Sequence, residues 1–159
     1  MDNAASQGLP LVSDVAASFD TRRLFDRVPH YSLREVPPFH CARYARYIAR
    51  DLFGKNYAPA DAWNLRYHNG LTLDVTDDIE SLVHSGQLKP GMIVGIYNPR
   101  SCNNQRKDEI RQPIRYSHVA VFLGASLFAH QFSFWARLDT SKQIQMMDFR
   151  FREVIDSLS

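Results

Sequence analysis

Hydrophobic periodicity changes once along this chain, and that change limits the folds open to it. Up to about residue 86 the apolar residues recur at helical spacing. From Lys89-Pro90-Gly91 onward they fall into short runs rich in β-branched and aromatic residues, separated by turn residues. Helices first and a meander of strands afterwards predict an α+β fold, with the helices packed on an antiparallel sheet.

The first helix is the clearest. Val36-Pro37-Pro38-Phe39 is held extended by its prolines and delivers the chain to a helix over 41–53, which Gly54 ends. Cys41, Ala45, Ile48, Ala49 and Leu52 share one face, which turns to the core, and Arg43, Arg46 and Arg50 take the other as a solvated face. A second helix is predicted over 59–67. A third is predicted over 77–84, with Asp77 and Glu80 at capping-box spacing and Gly86 as its stop. Strands follow over 92–97, 116–123, 127–134 and 146–154. The segment 98–115 has almost no apolar residues and reads as a long surface loop that emerges beside His118.

A chain of 159 residues fits one domain. Residues 1–20 read as a flexible N-terminal arm and 21–159 as a single domain. The hydrophobic fraction of 45% places the chain among folded globular proteins. A net charge of +2, with arginines spread along the chain, gives no support for a nucleic-acid partner. No apolar run is long enough for a transmembrane segment, and the first residues lack the pattern of a secretory signal. The compartment stays open between the cytoplasm and a secreted or periplasmic site reached with a leader outside this sequence.

Cys41 opens the first helix. A helix amino terminus and a nearby imidazolium both stabilise a thiolate, and the same first-turn N–H groups can bind the oxyanion of a tetrahedral intermediate. The imidazole has to come from the strands. If Gly124-Ala125-Ser126 is a three-residue hairpin loop, paired residue numbers sum to 250, so His118 faces Phe132 and Ala120 faces His130. The two histidines are then diagonal neighbours on one face. His118 can serve as base and His130 can hold its ring in orientation. A change of one residue in register would send His130 to the other face.

These segments resemble the NlpC family of papain-like cysteine peptidases, the NlpC/p-sixty group. The likeness runs through the cysteine-first helix, then "LKPGMIVGIY", "YSHVAVFLG" and "LFAH", over residues 31–134. It implies a papain-like fold in which Cys41, His118 and His130 are nucleophile, base and orienting residue. It implies a cysteine peptidase or amidohydrolase that cleaves an amide in a bacterial peptidoglycan peptide, or a related isopeptide, through an acyl-thioester and without a cofactor. Tyr31 is the nearest match to a tyrosine that helps bind the oxyanion in that family. Where the family has Asp-Cys-Ser-Gly, this chain reads His40-Cys41-Ala42-Arg43, so the acidic and small polar residues beside the substrate are replaced.

Two alternatives stand beside this reading: acyl transfer to an amine through the same thioester, and a binding module that keeps the fold without turnover. His40 reads as a helix-entry residue and Cys102 as a free surface thiol. No cysteine or histidine pair has the short spacing of a zinc site, so no metal is expected.

Overall fold

In the computed structural model, residues 24–74 and 78–158 are described. The predicted 1–20 arm and Asp77 lie outside them. The elements are helix α1 (Cys41–Phe53), a 3₁₀ turn (Ala62–Asn64) running into α2 (Leu65–His68), β1 (Gly70–Asp74) and α3 (Ile79–Ser85). They continue with β2 (Ile93–Tyr97), a second 3₁₀ turn (Cys102–Gln105), β3 (His118–Gly124), β4 (Leu127–Phe132), β5 (Trp135–Thr140), α4 (Ser141–Met146) and β6 (Arg150–Asp156). The strands form one six-stranded antiparallel sheet in the order β1-β6-β2-β3-β4-β5. The α+β class and the helix-on-sheet arrangement are as predicted.

The sheet is covered on both faces. Ala45, Ile48 and Ala49 of α1 pack against Ile93, Val119, Val121, Ala129 and Ile155. The alternate residues Val94, Ile96, Ala120, Phe122, Phe128 and Val154 pack against Ile79 and Leu82 of α3, Ile144 of α4 and the phenylalanines 149 and 151. A strand presents alternate side chains to opposite faces. β2, and β3 beyond His118, are therefore apolar on both faces, whereas a half-exposed strand would alternate.

Local chemistry accounts for the ends of the helices. Gly54 and Gly86 adopt φ +67° and +78°, closing α1 and α3 in the left-handed region where a side chain is strained. The cap of α3 is Asp78, whose carboxylate accepts the Ser81 N–H. The second predicted helix shrinks to a 3₁₀ turn and one α-turn that begin at Ala62, with Pro59 outside them.

The β3–β4 hairpin differs from expectation in a way that preserves the register. Its turn has two residues, Ala125 and Ser126, both at positive φ as a type I′ turn requires. That is one residue shorter than predicted. A bulge between Phe122 and Gly124 restores the count, so Val121 pairs with Ala129 and Phe122 with Phe128. The sum of 250 holds for the pairs beyond the bulge.

Gly95 of β2 lies beneath the buried ring of Tyr116, and a β-carbon there would come 2.8 Å from the ring. Gly95→Ala is expected to destabilise the fold by roughly 1–3 kcal/mol, as overpacking does. A denaturant midpoint within error of wild type would show that Tyr116 moves aside freely.

Candidate functional site

Cys41 begins α1 at the wall of a cleft of about 610 Å³. The chain turns into the helix at Phe39, which adopts φ +66° and donates its N–H to the Ser133 carbonyl at 2.9 Å. The next N–H, of His40, donates to Gln131 Oε1 at 3.1 Å, and Gln131 Nε2 donates to the Pro37 carbonyl at 3.2 Å. Gln131, buried on the helix side of β4, thus fixes where Cys41 sits. No side chain caps the first turn of α1 and no acid occupies it. Its N–H groups are the set that could receive an oxyanion.

The sulfur of Cys41 is approached by the N–H of Val119, the residue after His118, and by the N–H groups of Ala42 and of Cys41 itself. β3–β4 pairing begins only at Val121. The thiol therefore meets β3 at a start that is paired with β2 but not with β4. Burial pushes the Cys41 thiol up to about 11, the three N–H groups oppose that shift, and the Asp61 carboxylate adds to it. Desolvation outweighs the N–H groups here.

The two histidines meet as predicted. His118 Nε2 lies 2.8 Å from His130 Nδ1. The chain of contacts then continues to a residue the sequence did not single out, with His130 Nε2 at 2.7 Å from Asp139 Oδ2. Arg137 completes it, its guanidinium reaching both oxygens of Asp139 at 3.0 and 3.1 Å. His130 is wholly buried and Asp139 is 2% exposed. With both rings neutral, one assignment satisfies every contact. His130 Nε2–H donates to the carboxylate, His118 Nε2–H donates to His130 Nδ1, and His118 Nδ1 keeps its lone pair. Burial, with His130 alongside, holds His118 well below the usual histidine range, so its ring is neutral at pH 7.

Cys41 and the histidine pair are not joined. His118 and His130 share the sheet face of Ala120, Phe122 and Phe128, and the His118 ring packs near Phe132 and Phe149. Cys41 packs with the cluster on the other face. Among the described residues no hydrogen bond links the sulfur to the imidazole, and His118 does not line the cleft. The two groups approach the first residues of β3 from opposite sides.

Tyr31 is not part of the site, contrary to expectation. Its hydroxyl donates to Asp51 Oδ2 at 2.7 Å, and its ring packs edge-on against Tyr44 and Tyr47. Asp51 stands ten residues beyond Cys41, about 15 Å along the helix axis.

The segment 98–115 forms one side of the cleft through Asn103, Arg106 and Glu109. It is tied down: Tyr67 donates to Asp108, and the Glu109 N–H donates to Asn64 Oδ1 at 2.9 Å. Ser117 also faces the cleft, and among the described residues its buried hydroxyl has no hydrogen-bond partner. Among the described residues, no group of three or more histidines, cysteines or acids is placed to hold a metal ion. No described helix is long and apolar enough to cross a membrane.

Three signals for these missed residues were present. Asp139 and Arg137 lie two apart and follow His130 by short offsets, as a paired next strand requires. Gln131 adjoins His130 and so takes the opposite face. No family model matches the chain, and no curated protein or solved structure does.

Proposed function

We propose that the protein is a papain-like cysteine hydrolase, a divergent relative of the NlpC group, that cleaves an amide of a peptidoglycan peptide or a related isopeptide. The observation that carries this reading is the buried His118–His130–Asp139 chain. It leaves His118 Nδ1 as the free base at the strand start that also receives the Cys41 sulfur. In the reaction His118 Nδ1 takes the thiol proton as sulfur attacks the amide carbonyl, and the first-turn N–H groups of α1 hold the oxyanion. The imidazolium returns the proton to the leaving amine, and water releases the acyl group from the thioester. Because Sγ and Nδ1 lie on opposite faces at the β3 start, this transfer requires the His118 ring to leave its packing near Phe132 and Phe149 and reach the Cys41 side.

One observation favours a second reading. A thiol raised to about 11, with no hydrogen bond to the imidazole, also suits a binding module that retains the fold. Purified peptidoglycan incubated with wild type and with Cys41→Ala separates the two. The hydrolase reading expects new peptide fragments by mass spectrometry, reduced on the order of 10³-fold or more in Cys41→Ala. Fragments at equal yield from both proteins would place the nucleophile elsewhere. An acyl-enzyme on Cys41 that yields product only with an added amine would indicate acyl transfer. Neither fragments nor acyl-enzyme would favour the binding module.

A further inference from the structure

Seven arginines of this protein fall into two groups. Arg50 is paired with Asp51, Arg137 with Asp139, and Arg66 and Arg115 with the buried Glu153. Arg43, Arg46 and Arg106 line the cleft beside Cys41 instead. Among the described residues none of these three has a carboxylate within 4 Å.

The expected solvated face of the first helix is therefore only partly that. Arg46 is half-buried, with its guanidinium 5.8 Å from the Tyr47 ring, and among the described residues its Nε is shielded from solvent without a hydrogen-bond partner. Arg43 reaches only the Glu35 carbonyl, at 3.5 Å, and Arg106 lies over the Trp63 ring at 5.6 Å. Of the cleft's two acids, Glu109 is engaged by His68 at 3.0 Å. Asp61 is close enough to the sulfur to act on it. Desolvation and the like charges of Arg43 and Arg50 both weaken the protonated form of Arg46. Unpaired guanidinium groups gathered at one cleft are relieved by an anion, and a planar guanidinium fits a carboxylate through two parallel hydrogen bonds.

We propose that Arg46, supported by Arg43 and Arg106, binds a carboxylate of the ligand that occupies the cleft, so that Cys41 acts on acidic peptides. That the ligand is a substrate rests on the hydrolase reading. The carboxylate site itself does not.

The test compares two alkylating probes, N-iodoacetyl-glutamate and its neutral counterpart N-iodoacetyl-glutamine amide, in a Cys102→Ser background at pH 9. For each, the rate at Cys41 is divided by the rate at N-acetylcysteine amide in solution. The anionic probe is expected to show about a tenfold advantage at Cys41 over the neutral one, the size of effect a charge-assisted contact gives. Arg46→Gln should bring the ratio to within about twofold of the solution value, and Arg46→Lys should retain part of it. The thiol's own acidity cancels in the ratio. Equal ratios for the two probes in wild type, or an advantage that survives Arg46→Gln, would overturn the carboxylate site. An advantage lost in Arg46→Gln, in a protein that releases no peptidoglycan fragments, would keep the site and remove the hydrolase reading.

Discussion

Replacing Asp139 with asparagine is expected to lower amide hydrolysis by roughly 10²–10⁴-fold, within the range found when the residue orienting a catalytic histidine is altered. The carboxylate accepts from His130 Nε2–H, which leaves His130 Nδ1 to accept from His118 and leaves His118 Nδ1 bare. An asparagine that turns its NH₂ toward His130 reverses every donor along the chain. His118 would then present Nδ1–H to the sulfur and could not act as a base. The change also removes the charge that Arg137 holds and weakens a buried hydrogen bond, with an expected loss of about 1–3 kcal/mol of stability. Stability alone would scale turnover with the folded fraction, so the two effects separate at temperatures where the variant is fully folded. Kinetics like wild type in folded Asp139→Asn would make the histidine–aspartate chain a structural core feature and leave His118 without its assigned role.

The strand that carries Asp139 also shows why part of this fold was hidden in the sequence. In Trp135–Thr140 the alternation Ala136-Arg137-Leu138-Asp139 spans only four residues, too few to announce a strand, and it gives no sign that Asp139 is buried. α4 was missed for a similar reason. It is six residues long, too short for periodicity, and its only signal is the capping box of Thr140 and Gln143, which the structure forms. The Cys41 helix and the β2 and β3 strands were legible because their apolar patterns are long and uninterrupted. The histidine pair was legible because register in a hairpin is arithmetic, and a bulge at Leu123 kept the arithmetic valid when the turn proved shorter. What arithmetic cannot supply is the sheet face on which the helix lies. His118 was expected to look toward Cys41, and the alternation of β3 gives that face to Val119 and Val121 instead.

That placement sets the second large expectation, which concerns the resting state of the thiol. Alkylation of Cys41 by iodoacetamide, in a Cys102→Ser background, should rise about tenfold for each pH unit between 7 and 10 and level off near 11. Only the thiolate reacts, and its fraction grows in that proportion below the point of titration. The cause is burial, with N–H groups from Val119 and the first turn of α1 offsetting it only in part. His118 adds no positive charge, because its buried ring is neutral over the whole range. A preformed thiolate–imidazolium pair behaves in the opposite way and gives a rate already level below pH 7. Such a plateau would falsify the neutral resting pair and place His118 against the sulfur before substrate arrives. The predicted rise instead requires proton transfer and attack to occur together, in the complex, once Sγ and Nδ1 are within reach.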